Sequence, residues 1–334
     1  MMAKVSVLGA GSWGTALAIL LARNGHRVKL WGHHPAHVAA LQAERLNRRY
    51  LPEARFPASL HPVAALPEAV AESEFLIVSV PSHAFGALLA EVRPHLPPRP
   101  RVAWATKGLE LESGRLLHEV AAAVFGPEAA TAVLSGPTFA AEVAANQPTA
   151  MTVASKNPEF AAALVNLLHN ERFRAYSSDD IVGVQLGGAT KNVLAIAAGV
   201  ADGLGFGSNA RAALITRGLA EMTRLGLALG GKPETFMGLA GVGDLLLTCT
   251  DNQSRNRRFG LGLGWGESRA EVAARIGQEI EGIPTAKILH GLARSHGIEM
   301  PITEQTYRIL YEGLAPLEAV RNLLIREPKS EAWA

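Results

Sequence analysis

The chain is almost without cysteine. Cys249 is the one thiol among 334 residues, so no intrachain disulfide can form and a reducing compartment is natural for it. A charge excess is missing too: net +2 offers little to nucleic acid or to an acidic membrane surface. Aromatic residues are 6%, and none interleave with the basic runs to make a base-stacking platform. There is no repeat at a fixed period and no low-complexity segment. With 48% hydrophobic and 19% charged residues, the composition is that of a folded globular chain. No apolar run of membrane-spanning length stands uninterrupted. Val5–Ala22 carries no charge, but three glycines interrupt it and its periodicity changes halfway. The best remaining stretch, Phe236–Cys249, is broken by Asp244 and three more. The expectation is a cytoplasmic chain without a membrane span, long enough for two domains.

What is present begins at Lys4–Ala22. Val5–Leu8 is a short buried-strand run, Gly9-Ala10-Gly11-Ser12-Trp13-Gly14 follows, and Thr15–Arg23 is helix-forming. G-x-G-x-x-G between a strand and a helix predicts a dinucleotide-binding turn. Gly9 allows the bend, Gly11 leaves room for a pyrophosphate, and Gly14 lets helix and strand pack closely. The N–H groups at the helix start face the phosphates with the positive end of the macrodipole behind them.

Asn24-Gly25 closes that helix, and His26–Trp31 reads as a second strand. Beyond it an NAD-selective site carries a carboxylate for the ribose 2′-OH. Here the residues are Gly32-His33-His34. The missing carboxylate removes repulsion against a 2′-phosphate, which favours NADP(H) with NAD(H) also usable. A metal held by His33, His34 and His37 lacks a Cys or carboxylate to complete its ligands, so no metal is expected.

Ala36–Arg49 reads as a helix with an exposed basic end. Phe75–Val80, Arg101–Ala105 and Ala132–Ser135 are further buried strands, with Thr149–Ala154 and Phe173–Tyr176 as edge candidates. Strands alternating with helices predict a parallel, doubly wound Rossmann-type sheet. Its ligands gather at the carboxyl ends of the strands, where Pro81, Lys107 and Gly136-Pro137 fall. From Ile181 onward only helical patterns are visible, after an N-cap cluster at Ser177–Asp180. The predicted organisation is α/β followed by all-α: a dinucleotide-binding domain over 1–179 and an all-helical substrate-binding, catalytic domain over 180–334.

Lys191, in Gly187-Gly188-Ala189-Thr190-Lys191-Asn192, is flanked by small and apolar residues. Partial burial would lower its pKa and suit it to proton transfer. The residues alone leave equally open a lysine that snorkels to the surface. Asp244 is a carboxylate in an apolar, Gly-rich stretch and needs a cation, for which Lys191 is a candidate. Ser254-Arg255-Asn256-Arg257-Arg258 offers the donors a phosphate monoester wants.

These motifs together resemble the bacterial NAD(P)-dependent glycerol-3-phosphate dehydrogenases over essentially the whole chain. The stretches that carry the resemblance are GAGSWGTALA (9–18), VPSH (80–83), TKGLE (106–110), SGPTFAAEV (135–143), the run 187–218, GLAGVGDLLLTCT (238–250), SRNRRFG (254–260) and EGIPTA (281–286). The resemblance implies that Ser12, Trp13, His33, His34, Lys107 and Ala140 contact the cofactor, near Gly9, Gly11, Gly14 and Pro81. It implies substrate contacts for Lys107, Gly136 and Thr138. Lys191 matches the general acid/base, with Asp244 and Lys107 in the catalytic group. Asn192, Asp244, Thr248, Ser254, Arg255 and Asn256 then line the substrate site, Arg255 also touches the cofactor, and Glu281 closes over its nicotinamide end. The implied reaction interconverts dihydroxyacetone phosphate and sn-glycerol 3-phosphate, supplying phospholipid synthesis, in a homodimer. The chain departs from the family pattern at Thr138, Thr190, His33-His34 and Glu279; the last leaves one cofactor contact unassigned. Alternatives are a β-hydroxyacid or ketopantoate-type reductase, and a non-catalytic dinucleotide sensor.

Overall fold

A computed structural model describes residues 2–327; Met1 and 328–334, counted above in the two domains, lie outside the described residues. The chain forms two compact units, Met1–Glu110 with Arg115–Ile181, and Leu111–Gly114 with Val182–Ala334. The excursion Leu111–Gly114 groups with the second unit, although the sequence reading carries the first domain unbroken to residue 179. At its tip, a Cβ on Gly114 would meet Ile288 and Leu292 of that unit.

In the first unit the strands are β1 (Lys4–Leu8), β2 (Arg27–Trp31), β3 (Leu46–Asn47), β4 (Leu51–Arg55), β5 (Leu60–Val63), β6 (Phe75–Val78), β7 (Arg101–Trp104), β8 (Ala130–Ser135), β9 (Thr149–Ala154) and β10 (Phe173–Ser178). The helices are α1 (Ser12–Arg23), α2 (Pro35–Glu44), α3 (Leu66–Val70), α4 (Ser82–Val92), α5 (Leu117–Phe125), α6 (Ala140–Ala144) and α7 (Pro158–Leu168). Eight strands form one sheet in the order β10-β9-β8-β7-β6-β1-β2-β5. The central strand β6, Phe-Leu-Ile-Val, is buried at every position, as a parallel strand covered on both faces must be. Leu17, Ile19 and Leu21 of α1 pack into the same core as Val5, Val7 and Ile77.

Two expectations are corrected here. The sheet is not wholly parallel: β9 runs antiparallel to β8, with Ser135 opposite Thr152. A parallel crossover needs a helix long enough to recross the sheet, and the connection holds only the five-residue α6. The helix expected over Ala36–Arg49 stops at Glu44. Arg45 turns left-handed at φ 53°, and its guanidinium donates to the carbonyls of Leu60 and Pro57. The chain then makes an antiparallel hairpin, β3 with β4, and adds β5 as an edge strand. An edge tolerates Pro62, the residue that hides β5 from a strand search.

Every described regular element of the second unit is helical: α8 (Ile181–Gly203), α9 (Ser208–Ala228), α10 (Pro233–Phe236), a π turn at Leu239–Gly243, α11 (Asp244–Thr250), α12 (Arg255–Gly264), α13 (Arg269–Ile276), α14 (Gly282–Ser295), α15 (Pro301–Tyr311) and α16 (Pro316–Leu324). The long apolar helix of this chain is α8, not the Phe236–Cys249 stretch. Its 23 residues pass the length and hydropathy test for a membrane span, yet 94% of the tested window is buried within the protein. Burial inside the unit accounts for its apolar character without lipid.

One buried carboxylate joins α9 to α15. Glu221, 1% exposed, accepts from the Ile302 N–H at 2.6 Å, the Thr303 N–H at 3.1 Å and the Thr303 hydroxyl at 3.1 Å. It caps a helix whose own N-cap residue, Met300, has no side chain able to do so. Burial pushes the carboxyl up to about 7, against these donors and nearby Arg224. A pKa raised on folding gives stability that is full below the unfolded value and lost as pH rises through the folded one. Between pH 4.5 and 7 the loss is on the order of 3 kcal/mol. Glu221→Gln should flatten this fall, at the cost of a constant offset for the mismatched amide. Thermal midpoints taken from pH 5 to 8 test it, and parallel curves for the two proteins would remove the role.

Candidate functional site

The glycine turn is built as its spacing requires. Gly9 stands at φ 121°, where a Cβ would run into the Ser79 carbonyl at the end of β6. The Thr15 N–H donates to the Gly11 carbonyl at 3.0 Å, which starts the α1 ladder and leaves the amides before it pointing beyond the helix end. Two observations fit a bound dinucleotide. A Cβ on Gly11 would meet nothing within 4 Å, so the chain borders open space where a pyrophosphate is expected. The Trp13 indole Nε1 is buried and finds no partner among the described residues.

The other expected residues of this unit lie on loops after strands. His33 and His34 are exposed after β2, with ring centroids 3.6 Å apart, and His34 is the N-cap of α2. Partial desolvation, with the neighbouring imidazoles His34 and His37, lowers the His33 pKa. Pro81 is the N-cap of α4. Lys107 follows β7, and its ammonium reaches the Gly136 carbonyl at 3.5 Å. Thr138 donates to that carbonyl at 3.2 Å, and Ala140 opens α6. The loops after β7 and β8 thus bring Lys107, Gly136 and Thr138 together.

In the second unit, α8 and the π turn approach so closely that a Cβ on Gly187 would strike the Ala240 carbonyl. One helical turn further along each segment, Lys191 and Asp244 meet. The lysine, 6% exposed, is the buried alternative rather than the snorkelling one. Its ammonium is bonded to the Asp244 carboxylate and, at 2.9 Å, to the Thr248 hydroxyl a turn beyond. Thr248 passes its own hydrogen to the Asp244 backbone carbonyl at 2.6 Å. Asp244 is 0% exposed, and a carboxylate so placed requires its cation. Thr190, beside the lysine, is also fully buried, but its hydroxyl has no partner among the described residues.

Asn192 links this pair to α12. The Asn256 amide donates to the Asn192 oxygen at 3.0 Å and accepts the Gly282 N–H at 2.9 Å. Glu281 is the N-cap of α14, immediately before that glycine. Ser254 is the N-cap of α12: its hydroxyl accepts the Arg257 N–H at 3.2 Å and keeps its own hydrogen to donate. Arg255, the first helical residue, is partly exposed and reaches Gln278 at 3.4 Å. Glu279, the unassigned departure, is exposed between α13 and α14.

Within the SRNRR run the structure separates two arginines that the sequence cannot. Arg257 is buried and held by Asp202 at 2.5 Å, the Cys249 carbonyl at 3.0 Å and Asn252. Asp202 also binds Arg211 at 2.8 Å. Nothing local in the sequence joins Asp202 to Arg257, since they stand 55 positions apart. Asn47 was likewise missed: its amide touches the glycine turn, but it fell inside the helix expected over Ala36–Arg49, which in the structure ends at Glu44.

Cys249 lies beside this cluster, fully buried, and desolvation pushes its thiol up to about 12 despite Lys191 and Arg257 nearby. Native protein at pH 8 should resist iodoacetamide and keep its activity, with the thiol titrating only in denaturant. Rapid native labelling would contradict that burial.

Two family models match the chain: "NAD-dependent glycerol-3-phosphate dehydrogenase N-terminus" over residues 4–161 and the corresponding "C-terminus" over 180–321. A protein of Methylococcus capsulatus named glycerol-3-phosphate dehydrogenase (NAD(P)+) is 63% identical over 328 residues, 98% of each chain. One of the same name from Pseudoalteromonas translucida is 60% identical over the same span, again 98% of each. The crystal structure of glycerol-3-phosphate dehydrogenase from Coxiella burnetii superposes with a TM-score of 0.95 at 52% identity, covering 97% of this chain and 99% of that one.

Proposed function

The chain belongs to the NAD-dependent glycerol-3-phosphate dehydrogenase family, and from that premise we propose that it interconverts dihydroxyacetone phosphate and sn-glycerol 3-phosphate with NAD(P)H. The observation that carries this reading is the buried Lys191–Asp244–Thr248 cluster, bridged by Asn192 to the N-terminus of a helix that begins with Arg255.

The division of labour follows the two units. The first, with Gly9, Gly11 and Gly14 in its turn and Ser12 and Trp13 at the start of α1, holds the dinucleotide, whose nicotinamide supplies the hydride. His33 and His34 border the adenosine ribose. Lacking a carboxylate there, the chain does not repel a 2′-phosphate, and two imidazoles in place of a fixed cation hold one less strongly than an arginine would. Both NADPH and NADH are therefore substrates. Pro81 and Ala140, together with Arg255 and Glu281, complete the cofactor contacts. Lys107, Gly136 and Thr138 contact the substrate, with Lys107 near both ligands.

In reduction, Lys191 gives its proton to the C2 oxygen as the alkoxide forms. Its charge also stabilises that oxygen while negative charge builds up, in a site from which water is excluded. Asp244 and Thr248 turn the ammonium and hold it charged. Ser254, Arg255 and Asn256 bind the phosphate at the positive end of α12, and that remote binding orients the reacting carbon. The enzyme is cytoplasmic and homodimeric, and its working direction supplies glycerol 3-phosphate to phospholipid synthesis.

The test is oxidation of NADPH and NADH, side by side, with dihydroxyacetone phosphate and with 2-keto acids. Turnover with the ketone phosphate and not the keto acids is expected. Faster reduction of a 2-keto acid would move the chain to a different substrate class.

A further inference from the structure

The hairpin that interrupts the expected Ala36–Arg49 helix delivers one side chain to the glycine turn. Asn47, 0% exposed on β3, donates from its amide nitrogen to the Ala10 carbonyl at 3.1 Å and contacts the Thr15 hydroxyl at 2.9 Å. These partners bracket Gly11-Ser12-Trp13-Gly14, the segment whose amides face a dinucleotide pyrophosphate. The bracketing has a direction. A trans peptide is planar, with its N–H opposite its C=O, and no peptide among the described residues is cis. Fixing the Ala10 carbonyl on Asn47 therefore fixes the Gly11 N–H pointing away from Asn47. On the other side, Thr15 is the first residue whose N–H enters the α1 ladder, so the hold on its hydroxyl fixes where the helix begins.

We propose that Asn47 is a positioning residue for cofactor binding: it locks the peptide planes of the glycine turn so that their N–H groups are aimed before the dinucleotide arrives. This rests on the reading of the turn as the dinucleotide site. Preorganisation of this kind is felt in affinity, because a turn left free to rotate must be ordered at the moment of binding. Its bonds go to Ala10 and Thr15 of the glycine turn, so its effect belongs to the cofactor. The Asn47 Oδ1 is buried without a partner among the described residues, which identifies the donated hydrogens, rather than the oxygen, as the working part.

Asn47→Leu keeps the shape and removes both donors. Asn47→Asp keeps the shape more closely, likewise cannot donate when ionised, and carries the test if the leucine variant does not fold. Thr15→Val removes one acceptor and leaves the Ala10 bond. Dissociation constants for NADPH and NADH are read from nicotinamide fluorescence, without turnover, alongside thermal midpoints of the apoprotein. Steady-state constants at saturating cofactor complete the set. The two Asn47 variants should weaken both dinucleotides by about tenfold, with kcat and the substrate KM changed by less than about twofold. Thr15→Val should weaken them by less than about threefold. Unchanged cofactor affinity in a folded Asn47 variant would overturn the proposal. So would a fall in cofactor affinity, substrate KM and kcat together in step with the thermal midpoint, because that is general loosening. Because affinity is read without turnover, a wild-type protein that fails to reduce dihydroxyacetone phosphate would count against the proposed reaction alone.

Discussion

Replacing Lys191 with methionine should cut kcat by roughly 10²–10⁴ and leave the affinity for NAD(P)H unchanged, the usual worth of a general acid removed from its place. The size follows from the two roles proposed for the ammonium, as proton donor and as the charge facing a forming alkoxide. The single variant carries a complication that the structure makes plain. Asp244 is 0% exposed and bonded to that ammonium, so removing the cation strands a buried carboxylate. Breaking a buried pair from one side costs about 3–5 kcal/mol, enough to lower the folded fraction and imitate a catalytic defect. The double variant Lys191→Met with Asp244→Asn removes both charges and relieves that cost. It should regain most of the thermal midpoint lost by the single variant and none of the activity. Thr248→Val, which loosens the ammonium without removing it, should show a smaller fall in kcat. Recovery of turnover along with stability in the double variant would mean that Lys191 is structural and that another group supplies the proton.

What could be read from the sequence divides along the range of the interactions involved. The glycine turn was legible because strand, bend and helix start are consecutive, so each glycine's role is fixed by its immediate neighbours. The buried strands Phe75–Val78 and Arg101–Trp104 were legible because central parallel strands are apolar wherever both faces are covered, which leaves only Arg101 polar among these eight residues. Edge elements were not: β5 holds Pro62 and β4 holds Pro52, and neither needs an apolar run. The end of α2 was missed because the force that breaks it, two bonds from the Arg45 guanidinium to Leu60 and Pro57, comes from residues far along the chain. The same holds at the site. Lys191 and Asp244 could be suggested as partners from their apolar settings, yet composition could not decide between burial and snorkelling. That decision belongs to the close approach at Gly187 and Ala240, which sets the two helical segments one turn from meeting. Glu221 gave no signal at all, since a carboxylate in the middle of a helix looks solvated until the helix it caps is in view.

Arg255→Ala should raise KM for dihydroxyacetone phosphate by about 10²-fold and change KM for unphosphorylated dihydroxyacetone only by a small factor, as expected where charge-assisted bonds to a dianion are lost. Position in the run decides which arginine does this. Arg257, two residues on, is buried and spends its guanidinium on Asp202, the Cys249 carbonyl and Asn252. Its removal would leave Asp202 short of a partner and should appear first in stability. Arg255 sits at the first helical position of α12, partly exposed, where its charge adds to the positive helix end and to the Ser254 hydroxyl. Partial exposure carries a second consequence: screening by salt should weaken phosphate recognition in the wild type more than in the alanine variant. Arg255→Lys keeps the charge and loses the planar fork, so its KM should fall between the two. The family resemblance also gives Arg255 a cofactor contact, which predicts a modest rise in KM for NAD(P)H alongside the large rise for the ketone phosphate. Equal losses with the phosphorylated and unphosphorylated ketones, unaffected by salt, would take the phosphate from Arg255 and return it to the amides and hydroxyl of the α12 N-terminus alone.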